Sequence, residues 1–488
     1  MPLSDYIVTI GLEIHCQIKT KSKMFCSCKA SSGEEPNTCV CPVCMGLPGA
    51  LPTLNKYAIE RTILTGLMLG CHSPHISKWD RKSYFYPDMP KNYQTSQLDL
   101  SLCIGGSIPL YPWCYPNDVV KKGLPAFRSA QLNHIHLEED AGKLTHHAGY
   151  TLIDYNRAGT ALMEIVTDPD LHSPEEAYAC LKSLQQIVIY GGVSDADMEK
   201  GQMRCDVNVS LRPIGQEELG EKIEMKNINS TGAVRRALEY EIRRQCDELD
   251  RGIPQIQSTR RWDDDRGESI LMRTKENAHD YRYFTCPDLV PVHTDDMVAA
   301  MQELVPELPL EKQQRFVKDF GLSDYDANVL VSDFELVRYF EAAATNPKLG
   351  KKIANWVINN VLGILNEKGL TPDQCPVRPE AITGLIAIID DGTVSNNQAK
   401  DVFQLLWDHP ELTPAQAAKQ LGFEKADTSF LDAIVDEVVA NNPDKVAEIV
   451  GGNEKLLNWL TGQVMKAAKG KANPKMVTEA LRAKLGLA

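Results

Sequence analysis

The chain has 488 residues, which is too long for one ordinary hydrophobic core and predicts about three domains. Its 43% hydrophobic and 24% charged residues are typical of a globular protein. No segment approaches the ~20 apolar residues of a membrane helix, and the first residues show no import leader, so we expect a cytoplasmic protein without membrane contact. The net charge of −14 argues against a protein coated all over with nucleic acid, but it allows a local basic patch.

The stretch "VTIGLEIHCQI" (8–18) predicts a strand whose two faces differ. Alternation places Glu13 and His15 on one side of this strand. The opposite side is apolar throughout and consists of Val8, Ile10, Leu12, Ile14, Cys16 and Ile18. One face is therefore predicted to be core, while the other brings a carboxylate and an imidazole together.

Cysteines cluster in "FCSCKASSGEEPNTCVCPVCMG" (25–46). Four soft ligands suit a tetrahedral Zn²⁺ site, and we assign Cys26, Cys28, Cys41 and Cys44 to a structural zinc, with Cys39 as a rival fifth thiolate. The alternative is a set of unliganded, reduced thiols. The scattered cysteines are predicted to pack as small apolar residues: Cys71, Cys103, Cys114, Cys180, Cys205, Cys246 and Cys286.

The segment "KWDRKSYFYPDMPKNYQTS" (78–96) is rich in basic and aromatic residues. Arg81, Lys82 and Lys91, with the neighbouring tyrosines, suit contacts with phosphates and rings. The chain shows no P-loop, no GxGxxG sequence and no protein-kinase motif set. Any nucleotide site must therefore be of another type.

Later strands repeat the polar face of the first one. Alternation gathers three sets: His134, His136, Glu138 and Asp140; Asp206, Asn208 and Ser210; and Glu224 with Lys226. Carboxylates beside His and Asn form the oxygen-rich ligand set of Mg²⁺ or Mn²⁺. The alternative is an ordinary solvated sheet face, which antiparallel sheets often have.

The order of these patterns predicts an α+β domain over 1–295 with a mostly antiparallel sheet. Its clearest helix is "SPEEAYACLKSLQQIVIYGG" (173–192), where Ser173 caps the start, Glu176 completes a capping box and Gly191 ends the helix. Strand patterns then disappear, and we predict a helical domain over 296–408 and a second helical domain over 409–488.

Charge divides the last segment. Residues 411–454 hold nine Asp and Glu against three Lys, whereas 455–488 hold seven Lys and Arg against one Glu. The basic tail, which we define as Lys466, Lys469, Lys471 and Lys475, surrounds the "KGKANPK" turn, where Pro474 is predicted to open a last short helix. Contact with nucleic-acid phosphates and a solvated helix face are both compatible with this pattern.

Nine segments together resemble the B subunit of the aspartyl/glutamyl-tRNA amidotransferase family, essentially from end to end. They are "IGLEIHCQIKTKSKMFC", "CPVCMGLPG", "DRKSYFYPDMPKNYQTSQ", "HLEEDAGK", "YNRAGTALMEIVTDPD", "MEKGQMRCDVNVSLR", "EMKNINS", "DYRYFTCPDLVP" and "GQVMKAAKGKANP". Such long, ordered motifs do not coincide by chance.

The resemblance implies indirect tRNA aminoacylation. Glutamate on tRNA(Gln), or aspartate on tRNA(Asn), is phosphorylated with ATP and then converted to the amide by ammonia. Residues 1–295 are expected to form a kinase-like cradle with the zinc knuckle at 26–44, and 409–488 a YqeY-like, tRNA-binding tail. An amidase A subunit would hydrolyse glutamine and deliver ammonia through a channel, and a small C subunit would complete the heterotrimeric ligase.

The resemblance also assigns residues. The expected Mg²⁺ ligands are Glu13, His15, Glu138, Glu139, Glu164, Asp206 and Glu224, of which Glu13, His15, Glu138 and Asp206 are expected to be catalytic. Lys82, Arg157 and Lys226 are expected to bind ATP. Simple alternation puts Glu139 and Glu164 on apolar sides of their strands. The zinc knuckle occurs in only some members of the family, so its cysteines are expected to brace a loop and not to take part in the chemistry.

Two alternatives remain from the residues themselves. One is a metal-dependent phosphoesterase or nuclease that uses the same acids and needs neither ATP nor glutamine. The other is a zinc-containing tRNA adaptor without chemistry, whose acidic strands are only solvated surface. The choice between Glu-tRNA(Gln) and Asp-tRNA(Asn) depends on which synthetases the cell contains.

Overall fold

The computed structural model describes residues 5–30, 33–123, 125–274, 280–423, 428–450, 455–468 and 474–486. Its backbone contacts divide the chain into two compact units, Met1–Lys312 and Gln313–Ala488. The first unit contains the β-sheets and the second is helical, which confirms the predicted α+β class. No helix in the described ranges is both long and apolar enough to cross a membrane.

The strands lie in the first unit. They are β1 (Tyr6–Gln17), β2 (Ile76–Ser77), β3 (Asp80–Ser83), β4 (Tyr93–Ser96), β5 (Cys103–Ile104), β6 (Ser107–Leu110), β7 (Arg128–Glu139), β8 (Lys143–His147), β9 (Tyr150–Asp154), β10 (Ala161–Thr167), β11 (Met203–Pro213), β12 (Ile223–Lys226), β13 (Ser258–Asp263), β14 (Glu268–Thr274), β15 (Phe284–Thr285) and β16 (Val292–His293).

The main sheet has the strand order β14-β13-β12-β11-β1-β10-β7-β5, and β6 also pairs with β7. The pairs in this sheet are antiparallel except for β12 with β13. Smaller sheets join β15, β3 and β4, then β16 with β2, and β8 with β9. Strand β1 lies between β10 and β11, so its polar side chains have strand neighbours on both sides.

The helices of the first unit are α1 (Lys56–Met68), α2 (Asn117–Val120), α3 (Pro174–Tyr190), α4 (Thr231–Asp250) and α5 (Asp295–Gln302), with a 3₁₀ turn at Pro112–Cys114. Side chains of α1, α3 and α4 share one apolar core with the inward side of β1, where Ile10, Leu12, Ile14 and Cys16 are buried. The predicted core face of β1 is confirmed. Six of the seven scattered cysteines lie in this core and Cys71 packs against it, as predicted.

Helix α3 begins as the sequence predicts, but its cap differs in one bond. The Ser173 side chain accepts from the backbone N–H of Glu176, at 3.2 Å. The Glu176 carboxylate accepts from the backbone N–H of His172, at 2.7 Å, and also pairs with Arg128. The expected capping box would have used the N–H of Ser173, so the carboxylate reaches one residue further back.

The helices from residue 309 onward are α6 (Pro309–Phe320), α7 (Asp324–Val331), α8 (Phe334–Ala343), α9 (Gly350–Trp356), α10 (Leu362–Lys368), α11 (Pro379–Asp390), α12 (Asn396–Asp408), α13 (Pro414–Gln420), α14 (Thr428–Ala440), α15 (Pro443–Val450), α16 (Lys455–Ala467) and α17 (Pro474–Leu485), with 3₁₀ turns at Pro347–Leu349 and Pro372–Gln374 and a π turn at Val357–Val361. Helices α14 to α17 pack around an apolar cluster of their own. The domain boundaries near residues 295 and 408 stay a prediction.

Candidate active site

The register of the main sheet decides which polar side chains meet. Glu13 of β1 lies opposite Asp206 of β11, and His15 lies opposite Glu164 of β10. Glu164 in turn lies opposite His136 of β7. Residues opposite each other in an antiparallel pair project to the same face, with Cβ atoms about 5 Å apart. Acids and histidines from four strands therefore share one face of the sheet, which we call the polar face.

His15, Glu138 and Glu164 form the first group on this face, the histidine group. The His15 Nε2 atom lies 3.1 Å from Glu164 Oε2 and 3.8 Å from Glu138 Oε1. His136 joins them, with its Nε2 3.3 Å from Glu164 Oε2 and 3.5 Å from Glu138 Oε2. One potential ligand atom from each of His15, Glu138 and Glu164 lies within 4.8 Å of the others, which is compatible with binding of one cation.

The histidines and carboxylates of this group stabilise each other's ionised forms. Burial alone would lower the pKa of His136, but hydrogen bonds to Glu138 and Glu164 outweigh it and raise the pKa to about 10. Burial would raise the pKa of Glu164, but its hydrogen bonds with His136 and His15 hold that pKa well below its usual range. Glu164 is therefore an anion at neutral pH, as a metal ligand must be.

Glu13, Asp206 and Glu224 form the second group, the carboxylate group. Their oxygens also lie within 4.8 Å of one another. Lys226 neutralises part of the charge, because its ammonium pairs with Asp206 and lies 3.1 Å from Glu224. Burial lowers the pKa of Lys226, but the two carboxylates outweigh it and raise that pKa. Asn208 donates to Glu13 at 2.8 Å, so the group has an amide neighbour as well.

Alternation predicts apolar sides for both Glu139 and Glu164, but the structure places these two residues differently. Glu164 lies on the polar face, because Ala161, Met163 and Ile165 are the residues of β10 that enter the core. Glu139 follows Glu138 in β7 but is not brought into either group of the described residues. Its buried carboxylate pairs with Lys91 and accepts from the backbone N–H of Thr95, at 2.9 Å.

The predicted ATP-binding cations lie in different surroundings. Burial lowers the pKa of Lys82, but the charges of Glu138 and Glu164 outweigh it and raise that pKa, so the ammonium stays charged beside the histidine group. Arg157 donates to the carbonyls of Ala141 and Gly142, at 2.9 and 2.7 Å, just beyond the end of β7. The third cation, Lys226, belongs to the carboxylate group.

Sequence reasoning missed some residues of this face. Arg204 donates to the buried Asp140 at 2.8 Å, and Gln17 donates to the same carboxylate at 3.0 Å. Arg204 precedes Asp206 by two residues, so alternation could have placed it on the polar face. The same rule places His136 on this face, although the family resemblance does not assign it as a site residue.

The four assigned cysteines lie together. The Sγ atoms of Cys26, Cys28, Cys41 and Cys44 are within 4.8 Å of one another, and we call them the cysteine cluster. The backbone N–H of Cys41 donates to Cys44 Sγ at 3.1 Å. A hydrogen bond from Cys26, together with the neighbouring backbone and a lysine, lowers the pKa of the Cys44 thiol to about 4. The rival Cys39 is not in this group, and its backbone N–H donates to Asn156 at 2.8 Å.

Only part of the basic tail can be placed. Lys466 is exposed in the last turn of α16. Lys469 and Lys471 lie outside the described residues, as does the side chain of Lys475. Helix α17 begins at Pro474, as predicted.

The geometry alone does not distinguish an amidotransferase subunit from a metal-dependent nuclease or a tRNA adaptor. Comparison with known families does. A model described as "GatB/GatE catalytic domain" matches residues 8–300, and one described as "GatB domain" matches residues 338–485. The chain belongs to the GatB family. The first match spans the strands that carry the polar face and the cysteine cluster, and the second spans the tail.

Similar proteins in the family are each named as the B subunit of an aspartyl/glutamyl-tRNA(Asn/Gln) amidotransferase. The protein of Persephonella marina is 47% identical over 484 residues, which cover 98% of this chain and 99% of the relative. That of Carboxydothermus hydrogenoformans is 45% identical over 490 residues, which cover 99% of each chain. That of Syntrophotalea carbinolica is 46% identical over 488 residues, again covering 99% of each.

Proposed function

We propose that this chain is the B subunit of a tRNA-dependent amidotransferase, and that its polar face is the site of ATP-dependent amidation. Its substrates would be Glu-tRNA(Gln), Asp-tRNA(Asn) or both, and its products Gln-tRNA(Gln) and Asn-tRNA(Asn). The observation that carries the proposal is the likeness to curated B subunits over 98–99% of the chain. The clustered acids and cations of the polar face supply the chemistry that this reaction needs.

The reaction joins a carboxylate to the γ-phosphoryl group of ATP, so it brings anions together. The histidine group and the carboxylate group fit Mg²⁺, because both offer anionic oxygens within a few ångströms. His15, Glu138 and Glu164 would hold one ion, and Glu13, Asp206 and Glu224 a second. When bound, Mg²⁺ supplies charge neutralisation for the phosphates and for the developing transition state.

The chain's own cations would orient the reactants. Lys82 is held charged beside Glu138 and Glu164, where it suits a phosphate oxygen. Arg157 is fixed by two backbone carbonyls at the end of β7, so it loses little freedom when an anion binds. The acyl phosphate that forms hydrolyses readily, so ammonia must reach it while water is excluded. This arrangement is what a kinase-like cradle would provide.

The cysteine cluster fits a structural zinc. A tetrahedral Zn²⁺ with bonds of about 2.3 Å places its sulfurs roughly 3.8 Å apart, and the four Sγ atoms already lie within 4.8 Å of one another. Four thiolates close the coordination sphere and leave no position for a substrate. Zinc would therefore brace the knuckle over 26–44, a segment without helix or strand in its described part.

The proposed partners follow from the activities that the reaction needs besides amidation. Glutamine hydrolysis would belong to an amidase A subunit, which delivers ammonia to the polar face through a channel, and a small C subunit would complete the heterotrimer. The basic tail would hold the tRNA by its phosphates, away from the aminoacyl end. This arrangement assigns chemistry to the first unit and tRNA affinity to the last helices.

A reconstitution assay tests the proposal. The chain, purified with co-expressed A and C subunits, is supplied with misacylated tRNA, ATP, Mg²⁺ and glutamine. We expect amidated tRNA with one ADP per amide formed, and no product when ATP is omitted. Degradation of the tRNA without ATP would instead indicate a metal-dependent nuclease. Tight tRNA binding without turnover would indicate an adaptor.

A further inference from the structure

Lys23 is a fully buried lysine that the proposed chemistry does not use. Its side chain is 0% exposed. Burial of an ammonium group is expensive unless the charge is paired and hydrogen-bonded. The two hydrogen-bond partners of this ammonium therefore indicate what Lys23 does.

The two partners belong to different parts of the fold. The ammonium lies 3.6 Å from Cys44 Sγ, in the cysteine cluster, and 3.2 Å from the backbone carbonyl of Tyr155. Among the described residues, no carboxylate oxygen comes within the 4.0 Å of an ion pair with Lys23. Of the two groups in contact with the ammonium, the Cys44 sulfur is therefore the one that can carry a compensating negative charge.

The main chain around Lys23 makes the same connection. Its backbone N–H donates to the carbonyl of Cys28 at 2.9 Å, and the next residue, Met24, donates to the carbonyl of Gly159 at 2.7 Å. A Cβ on Gly159, whose φ is +84°, would lie 3.5 Å from the Lys23 side chain and 3.6 Å from Cys44. Lys23, Cys44 and Gly159 are therefore close neighbours, and a side chain at position 159 would contact both of the others.

The segment 155–160, which supplies the Tyr155 and Gly159 carbonyls, lies against the chain just beyond the end of β7. Residues 155–160 include Arg157, and the backbone N–H of Gly159 donates to the carbonyl of Asp140 at 2.8 Å. Asp140 follows the last residue of β7 and lies two residues after Glu138. Its carboxylate pairs with Arg204. Displacement of the 155–160 segment would therefore move Arg157 relative to the histidine group.

We propose that Lys23 is a positioning residue that couples the cysteine cluster to the segment carrying Arg157, through one buried ammonium shared by Cys44 and the Tyr155 carbonyl. Zinc-bound thiolates carry net negative charge, and an N–H···S contact stabilises that charge in the way that outer partners support metal ligands. The negative charge of the cluster in turn compensates the positive charge of the Lys23 ammonium. Loss of the metal or of the lysine should therefore disturb the same segment. This inference rests on the proposed zinc site, but not on the amidation reaction.

The first test compares Lys23→Met with Lys21→Met, a matched control from the same segment whose side chain is exposed. Each is made in the full chain with its co-expressed partners. We expect Lys23→Met to release zinc to a chelator about 10-fold faster or more, the range typical of outer partners of metal ligands. We also expect faster amide hydrogen exchange over residues 155–160. Lys21→Met should match the wild type in both measurements.

A purely structural role for Lys23 would give a different pattern. With Co²⁺ loaded in place of zinc, loss of the N–H···S contact should shift the sulfur-to-metal absorption bands in Lys23→Met, whereas general loosening of the fold would not. Lys23→Arg, which keeps the charge, should restore part of the zinc retention. If Lys23→Met does not fold, Lys23→Gln takes its place, since it removes the charge but retains a hydrogen-bond donor.

A double-mutant cycle tests the coupling itself. In a Cys44→Ser background, Lys23→Met should add little to the exchange of residues 155–160, because the partner sulfur is already gone. Additive effects, unchanged exchange, or zinc release equal to that of Lys21→Met would overturn the proposal, as would a wild-type chain that takes up neither Zn²⁺ nor Co²⁺. None of these measurements requires tRNA or ATP, so failure of the amidation assay would be recognised separately.

Discussion

The polar face and the cysteine cluster hold potential metal ligands at the same spacing, within 4.8 Å, but they are built in opposite ways. The polar face draws its ligands from β1, β7, β10, β11 and β12, which come together only when the sheet is complete. The cysteine cluster draws all four from the segment 26–44. The sheet has a large apolar core to hold its ligands in place, whereas the described part of the knuckle has neither helix nor strand. Metal ligands should therefore govern rate in the first region and stability in the second.

The largest effect is expected where a ligand is removed from the polar face. His15→Ala and Asp206→Asn should each lower ATP-dependent amidation by about 100-fold or more, because several kcal/mol of charge stabilisation disappear and each 1.36 kcal/mol is a factor of about ten. The measurement is amidation with ammonium chloride in place of glutamine, which bypasses the A subunit. Circular dichroism should be unchanged.

Asp265→Asn is the control for these variants, because Asp265 is exposed in the turn between β13 and β14. It should retain wild-type turnover. Near-normal amidation by a folded His15→Ala or Asp206→Asn variant would show that the polar face is not the metal site.

Neighbouring acids give a sharper comparison within one strand. Glu138 belongs to the histidine group, whereas Glu139 pairs with Lys91 on the other side of β7. Glu138→Gln should weaken Mn²⁺ binding by about tenfold or more, and Glu139→Gln should leave it nearly unchanged. Calorimetric titration of Mn²⁺ measures both variants. Equal losses would mean that Glu139 reaches the metal, as the family resemblance implies.

Substitutions in the cysteine cluster should lower the stability of the protein more than its turnover. Cys41→Ser with Cys44→Ser should remove the bound zinc, about one per chain, and lower the thermal unfolding temperature by several degrees, because the knuckle loses its closed site. Turnover should fall much less than in the His15→Ala variant. Elemental analysis, thermal unfolding and the amidation assay measure the three quantities. Zinc-free wild-type protein, or a variant as inactive as His15→Ala, would contradict the proposed division.

The sequence predicted the polar face better than its details. Alternation identifies which residues of a strand share a face, so Glu13, His15, Glu138 and Asp206 were placed correctly without a structure. Register between strands is not readable in this way, and it is register that brings Glu164 between His15 and His136. Alternation also made Glu164 look misplaced, because Leu162 and Val166 are apolar although they lie on its side of β10.

Buried polar residues outside any motif were harder to predict. Lys23 lies between Ser22 and Met24 in "TKSKMFC", and a lysine in such a polar stretch is usually expected to be exposed, as Lys21 is. Its position follows from contacts with Cys44 and Tyr155, which are 21 and 132 residues away. Long-range pairing of this kind is decided by the fold. The assignment of four cysteines and the start of α3, capped by Ser173, depend on local patterns, and both can be predicted from the sequence.

The basic tail extends the comparison to a third region, for which the sequence predicts contact with the phosphates of a partner, the tRNA. Reversal of Lys466, Lys469 and Lys471 to Glu should raise the KM for misacylated tRNA several-fold and leave kcat almost unchanged, because phosphate contacts supply affinity without touching the aminoacyl end. Each lost contact should also lower the slope of log affinity against log salt by roughly one unit. Filter binding across a salt series measures both affinity and slope, and a chain truncated after residue 408 should behave alike. Lys348→Glu, an exposed change outside the tail, is the control. Unchanged affinity and slope in the reversed variant would mean that these lysines are only a solvated helix face, and that the tail does not position the tRNA for the polar face.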